Sequence, residues 1–433
     1  MGWHGGPGTR YRPLGKDTFN PPDAKQAGGL RQKPNTFPIF KGSGGVLASP
    51  VLSPFLPMKR FWRWLLGVLR RFLFGINLLT LVPVVLSSLA PYIAPERFFW
   101  PNLLALFHIY WLVIPLLWLA GWGLRRRWAY AAVNLLLLGL NYPSLSLTYQ
   151  SHEPLPASER NIELLSMNVN AFGYDYKHFL GLQEYLRQTE PDIVCLQEFY
   201  NVSDRKGLKT DSGKIKRPRA LRALEADEQY PHQVFVRVLN SGPFGLLVLS
   251  KYPIIDAGLV TPRSNQAKTG IMYADLKLYG ERLRLYNAHL ASYNFSLRQR
   301  RLLGDDQSRA SLNVKSGWSL AKVLLHAWEL QTEQLNALQA HRREFSDPSV
   351  LCADLNNPPY SYFYQEGRGD LQDSFLARGS GRGATYDRFF RPMRIDYVFP
   401  SEDFLVAGHR VDAKNRLSDH RPLHVDLRFR FHQ

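Results

Sequence analysis

Three long runs without an Asp, Glu, Lys or Arg follow one another early in the chain, at 72–94, 101–123 and 128–148, and they restrict its folding more than any other feature. A helix of about 20 apolar residues crosses the hydrocarbon core of a bilayer, and each run has that length. Pro83, Pro91 and Pro115 are compatible with this, because neighbouring helices re-satisfy backbone groups freed inside a membrane. Trp100, Trp118, Trp122 and Trp128 lie near the expected span ends, where indole rings anchor at the interface. A signal peptide would not be followed by two further spans. Lys59, Arg60, Arg63, Arg70 and Arg71 precede the first run, and Arg125, Arg126 and Arg127 separate the second from the third. Basic clusters stay cytoplasmic. Three transmembrane helices then put everything after residue 150 on the far side: an inner-membrane, multi-pass protein with a periplasmic domain. Two spans plus an interfacial helix would reverse this.

The rest of the chain divides around this block. Residues 1–58 are rich in Gly, Pro and polar side chains and are expected to be a disordered tail. Met58-Lys-Arg-Phe-Trp-Arg has the form of a bacterial start, so the preceding segment reads as a tail or as an over-extended reading frame. Residues 59–149 are the anchor, 150–160 a polar linker with two prolines, and 161–433 the domain that carries the chemistry. The net charge of +18 suggests nucleic acid, but only +5 of it falls in residues 151–433, so most of the excess is flanking charge of the anchor. The two cysteines, Cys195 and Cys352, sit inside apolar runs and read as buried strand residues, with a bridge left open.

From Ile162 the pattern changes to short apolar runs separated by turns. Strands are expected at about 162–168, 192–197, 233–238, 245–249, 271–278, 283–289, 349–354, 395–399 and 423–429, with helices near 177–189 and 319–343. This mixture implies an α/β (α+β) domain built on a large, mostly antiparallel sheet system.

Five polar clusters end these runs. They are Ser-Met-Asn168-Val-Asn, Cys-Leu-Gln-Glu198, Asn-Ala-His289-Leu, Ala-Asp354-Leu-Asn356, and the pair Arg-Ile-Asp396-Tyr with Ser-Asp419-His420. Any one alone reads as a turn residue or a solvated strand end. Together they supply hard oxygen ligands, a carboxylate–imidazole pair and a second histidine. That inventory suits metal-assisted hydrolysis of a phosphate ester, since Mg²⁺ takes one or two carboxylates and leaves room for substrate phosphate.

In this order the motifs resemble the endonuclease/exonuclease/phosphatase superfamily, which includes deoxyribonucleases, apurinic-site endonucleases, inositol polyphosphate phosphatases and bacterial sphingomyelinases. The resemblance covers about residues 160–430 and includes Gly245-Leu-Leu-Val-Leu-Ser-Lys-Tyr-Pro-Ile254. The preceding anchor is similar to that of membrane-bound bacterial members. The resemblance implies a four-layered α/β sandwich of two packed mixed β-sheets. It implies Mg²⁺, or Mn²⁺ in its place, on Glu198 with Asn168 and with Asp419 contributing. Asp354 and Asn356 would contact the scissile phosphate or a second metal, His420 oriented by Asp396 would activate water, and His289 would bond phosphate oxygens. The implied substrates are phosphate esters: a phospholipid headgroup, a small phosphodiester or a nucleic acid. The anchor itself makes the lipid bilayer a partner. A nuclease with the same site, and a catalytically silent binding module on the same fold, are the alternatives. Two points depart from the pattern: the usual Gly-Asp-Phe-Asn reads Ala353-Asp354-Leu355-Asn356, and no carboxylate partner for His289 is identifiable. A basic segment at 206–222 and a long insertion at 291–345, with Arg298, Arg300, Arg301 and Arg309, read either as solvated loops or as a frame for substrate or lipid headgroups.

Overall fold

A computed structural model describes residues 55–201, 219–239, 243–261, 269–293, 314–387 and 392–430, with two short strands, Leu208–Thr210 and Gly213–Ile215, between them. The expected tail up to residue 54, parts of the basic segment (206–207, 211–212 and 216–218) and the four arginines of the long insertion lie outside the described residues. The chain forms a short unit, Met1–Trp64, and a large one, Leu65–Gln433. In the short unit the described part is the opening of a helix with Phe61, Trp62 and Trp64 exposed.

That helix, α1 (Phe55–Ser88), is the one helix among the described residues that is long and apolar enough to cross a membrane, from Met58 to Ser88. The second apolar run divides into α2 (Trp100–Ala105), α3 (His108–Trp111) and α4 (Val113–Leu124). The third divides into α5 (Trp128–Leu140) and α6 (Tyr142–Ser146). Three long helices are therefore not what these runs form. Proline accounts for two of the breaks: Pro115 and Pro143 stand in the first turns of α4 and α6, where a missing N–H is tolerated, whereas the α2–α3 break at Leu106–Phe107 has no proline. Buried polar bonds join α1 to the α4–α5 pair. Asn77 and Asn134 exchange amide bonds at 3.0 and 3.1 Å, Trp122 Nε1 donates to Asn77 Oδ1, Trp118 Nε1 donates to Thr80 Oγ1, and Ser88 Oγ donates to Asn141 Oδ1. Leu79, Leu116, Leu117, Leu135, Leu136 and Leu140 stay exposed on the outer faces.

Gln150–Ser151 pairs with Ser380–Gly381 in a separate two-stranded sheet, and eleven further strands build two mixed sheets. One contains β1 (Ile162–Asn168), β2 (Ile193–Tyr200), β3 (His232–Arg237), β4 (Phe244–Ser250), β10 (Phe404–Val411) and β11 (Leu423–Phe429), in the order β10-β11-β1-β2-β4-β3. The other contains β5 (Ile254–Leu259), β6 (Gly270–Leu278), β7 (Glu281–His289), β8 (Ser349–Asp354) and β9 (Asp396–Pro400), in the order β9-β8-β7-β6-β5. Within these sheets only β1–β2 and β7–β8 run parallel, and each of these crossovers carries a helix on the outer face, α7 (Tyr176–Thr189) and α9 (Val314–Arg343), with the short α8 (Ala220–Glu225) between them in the chain. Alternate residues of both sheets, among them Leu164, Ile193, Val248, Leu285, Val350 and Val398, close the core between them. Leu165, Met167, Val194 and Leu196 face α7, and Tyr286, Leu351 and Tyr397 face α9. The order of layers is thus helix, sheet, sheet, helix. Cys195 and Cys352 meet across the sheet–sheet interface as buried free thiols, and burial with Cys195 beside it pushes the Cys352 thiol up.

The strands that sequence patterning misses, β5 and β10, both lie on sheet edges. An edge needs no continuous apolar run: β5 carries Asp256 and Gly258, and β10 breaks register around Ala407.

Candidate active site

Period-two alternation brings the site together. On β1 the residues sharing a face with Ile162 and Leu164 are Ser166 and Asn168. On β7 the residues following Leu283 and Leu285 on that face are Asn287 and His289, on β8 Asp354 follows Val350 and Cys352, and on β9 Asp396 precedes Val398. All four strand-end groups therefore converge where the two sheets meet. Register confirms it: His289 pairs with Asp354, and Asp354 with Asp396.

Glu198 is the exception. Alternation would send it to the α7-covered face with Val194 and Leu196. Instead β2 breaks register between Leu196 and Phe199, and Glu198 takes a left-handed backbone with φ +50°. A non-glycine residue pays roughly 1–3 kcal/mol for this. The result returns its carboxylate to the site, where Oε1 accepts from Asn168 Nδ2 at 3.1 Å and lies 3.5 Å from His289 Nε2.

Asn168 Nδ2 also donates to Asp354 Oδ2 at 2.9 Å, and Asn168 Oδ1 accepts from Asn170 N. Asp354 Oδ1 accepts from the Asn356 backbone N–H at 2.9 Å, and Asn356, at φ +54°, donates its amide to Leu290 O. His420 Nδ1 faces Asp396 at 2.9 Å and its Nε2 lies 3.9 Å from Asp354 Oδ2. Ligand atoms of Asp354, Asp396 and His420 all lie within 4.8 Å of one another. The Asp419 carboxylate accepts from Ser418 Oγ at 3.2 Å and adds to the negative field on His420.

The electrostatics follow from burial. Desolvation, reinforced by the Asp396 carboxylate, pushes Asp354 up to about 6 against the pull of His420, His289 and Asn168. Burial alone would lower His420, but Asp396 and then Asp354 outweigh it and raise its pKa to about 10. Both ring nitrogens of His289 are buried with no hydrogen-bond partner among the described residues, although two carboxylates lie within 3.7 Å. A buried polar ring in that state calls for a further polar body in the site. The carboxylate oxygens of Glu198 and Asp354 beside it are the hard ligands that a small divalent cation takes, and Asn168, whose Nδ2 now bridges them, would offer its oxygen to such an ion by turning its amide over.

Sequence reading missed the supports. Thr385 Oγ1 accepts from the backbone N–H of Ile395 and Asp396, and the Tyr386 ring lies 4.7 Å from His420. Under the site, Gln197 Nε2 donates to Asn287 Oδ1 and Ser166 Oγ, while Asn287 Nδ2 donates to the Leu196 and Leu247 carbonyls, tying one sheet to the other. Amides inside otherwise apolar strands were a visible signal for Gln197 and Asn287; nothing in Gly-Ala-Thr-Tyr marks Thr385.

None of the curated proteins compared matches the chain. Among solved structures, an endonuclease/exonuclease/phosphatase from Beutenbergia cavernae is 20% identical over 63% of this chain and 72% of its own, with a TM-score of 0.43. The human Nocturnin catalytic domain with bound sulfate is 17% identical over 64% of this chain and 97% of its own, at 0.41. Danio rerio TDP2 complexed with single-strand DNA product is 15% identical over 62% and 99%, at 0.43. A domain of unknown function matches residues 70–148. The family model described as endonuclease/exonuclease/phosphatase matches residues 165–420, from the middle of β1 to His420, and so spans every strand-end group of the site. On that match the chain belongs to the endonuclease/exonuclease/phosphatase family.

Proposed function

We propose that this protein is a membrane-anchored, divalent-cation-dependent hydrolase that cleaves a phosphodiester by in-line attack of water. The observation that carries the reading is the Asp396–His420–Asp354 row, with the unpartnered His289 on its other side. Asp396 fixes the His420 ring through Nδ1; in the neutral ring Nε2 takes the proton of water, and positive charge bound beside Asp354 would favour that form over the imidazolium the two carboxylates hold in the metal-free protein. His289 donates to a phosphate oxygen as charge develops there. Asp354, pushed up to about 6 by burial and Asp396, is poised to hand a proton to the leaving oxygen. Asn168 and Glu198 would hold Mg²⁺ or Mn²⁺, with Asp419 next to His420 as the further candidate carboxylate. When bound, the ion supplies countercharge to the phosphate oxygens.

Support for the anchor comes from helix register. Phe74 stacks on Tyr130 at 4.4 Å and Asn77 meets Trp122, so the Arg125–Arg127 turn comes level with the start of the α1 apolar run, near Arg70 and Arg71. Ser88 meets Asn141 at the other end. The shared length is about 21 Å at 1.5 Å per residue, and both basic clusters fall on one side, as the positive-inside rule requires. The reading is therefore α1 as the full span, the shorter helices packed along it, and the domain from residue 150 outside the cytoplasm. A C-terminal alkaline phosphatase fusion should be active; an inactive one would reverse the topology.

The activity test uses full-length protein in detergent with bis(p-nitrophenyl) phosphate, Mg²⁺ or Mn²⁺, and EDTA. Turnover should need the metal, and Glu198→Ala and His420→Ala should each lower it roughly 10²–10⁴-fold. Folded protein with no turnover under any metal, or variants as fast as wild type, would overturn the reading.

A further inference from the structure

Just past Asn168 the chain makes a turn, Asn170–Tyr174, whose five residues are all left-handed, with φ of +44°, +53°, +56°, +56° and +60°. Gly173 adopts this region freely and Asn170 tolerates it, but Ala171, Phe172 and Tyr174 do not. Such a run persists only where its surroundings over-determine it. Here they do. Ala171 and Phe172 are buried, and the Phe172 ring packs edge-to-face on Phe179 and Phe199 at 5.7 and 5.4 Å. Phe172 N donates to Val169 O at 2.8 Å, and Phe172 O accepts from Asp175 N at 3.0 Å and from His178 Nδ1 at 2.8 Å. What this turn presents at its end is Tyr174, a large ring left 59% exposed.

Tyr174 stands beside the site. The turn is tied to it through Asn170 N, which donates to Asn168 Oδ1 at 2.9 Å. The Tyr174 ring lies 5.2 Å from that of Tyr200, two residues past Glu198 on β2 and so roughly 7 Å along the strand. It lies 6.2 Å from Phe244, at the start of β4. Tyr200 and Phe244 are 4.8 Å from each other, so both stand on one side of Tyr174, and they leave its other side to solvent. A ring held in this way beside a phosphate site takes another flat ring. Charge favours a ring borne on phosphate. Residues 201–222, which follow Tyr200, contain eight Lys or Arg and two Asp, a larger excess than the +5 of residues 151–433 as a whole. A phospholipid headgroup has no flat ring; a nucleotide has one, a single sugar away from its phosphate.

We propose that Tyr174 is a specificity-determining residue: the base of a nucleotide substrate stacks on it while the phosphate lies between Glu198 and His289. The proposal rests on the phosphodiesterase reading above and narrows its substrate from phosphodiesters at large to nucleotide esters.

The test compares thymidine 5′-(p-nitrophenyl) phosphate with methyl p-nitrophenyl phosphate, which share a leaving group and differ in the base. Full-length protein in detergent with Mn²⁺ should favour the thymidine ester at least about five-fold in kcat/KM, chiefly through KM, the scale of one base–aromatic stack. Tyr174→Ala should bring the ratio between the two esters close to one. Tyr174→Phe should keep it, because the ring and not the hydroxyl carries the stack. The ratio is internal to each preparation, so a partly inactive variant still decides the matter. Equal use of the two esters by wild type, or an unchanged ratio in Tyr174→Ala, overturns this proposal alone. Folded wild type that hydrolyses neither ester sinks the phosphodiesterase reading, and this proposal with it.

Discussion

At the scale of single residues, two side chains show how far chemistry governs backbone. Glu198 ends a strand visibly in the sequence, but the register break and positive φ that turn it inward are invisible there, because nothing in Gln-Glu-Phe marks a left-handed residue. Glu198→Gln should keep the fold and the Asn168 bond while losing the cation; Mn²⁺ affinity by calorimetry should fall at least ten-fold beside an unchanged melting temperature. His420 yields a pH prediction. Its folded pKa is raised to about 10 from an ordinary 6.5, because Asp396 and Asp354 outweigh desolvation. The stabilisation is therefore complete below pH 6.5 and lost as pH climbs through about 10. The slope can reach roughly 1.4 kcal/mol per pH unit for one proton. In Asp396→Asn the urea midpoint of metal-free protein should fall less steeply between pH 7 and 9. Equal slopes would show that the pair is not what holds that proton.

At the scale of elements, the strands of the interior were the most legible part. β1, β4, β6, β7, β8 and β11 each carry an apolar face whose period is two, and the site residues inherit their direction from it. The edge strands and the segmentation of the apolar helices were not legible, for opposite reasons. Edges need too little hydrophobicity to stand out, while the apolar runs have so much that the breaks within them do not show. The inter-sheet amides also belong to this scale. Replacing Asn287 by Leu keeps the volume but leaves the Leu196 and Leu247 carbonyls and Gln197 without their partner. Each buried orphan costs about 1–3 kcal/mol, so a loss of roughly 2–4 kcal/mol should appear in the denaturant midpoint. A neutral result would mean that water replaces the amide. The Arg394–Asp373 pair is similarly exposed to single changes: Arg394→Met strands a buried carboxylate and should cost about 3–5 kcal/mol, whereas Asp373→Asn with Arg394→Met together should recover part of it.

At the scale of the whole molecule, the helical block packs against the outer layer of the second sheet, where Phe99, Leu103 and Leu147 join the cluster of Trp328 and Phe363. Tyr360 and Arg394, which touch the block, lie a few residues from Asp354 and Asp396 in the chain. Shortening the helical block should thus disturb the loops that carry Asp354 and Asp396, read as a lowered melting temperature of the domain. The two thiols have a consequence of another kind. Cys195 and Cys352 face each other from different sheets, sealed from solvent, and burial keeps the Cys352 thiol protonated and inert. While the sandwich is closed, oxidants cannot reach them. Each global opening in an oxidising medium exposes both at once, in a chain whose unpaired strands are also free to associate. Mispaired disulfides formed then would block return, so lifetime in such a medium is set by how rarely the sandwich opens rather than by its equilibrium stability. Air-exposed refolding of the Cys195→Ala, Cys352→Ala double variant should outyield wild type, and the difference should vanish under reducing agent.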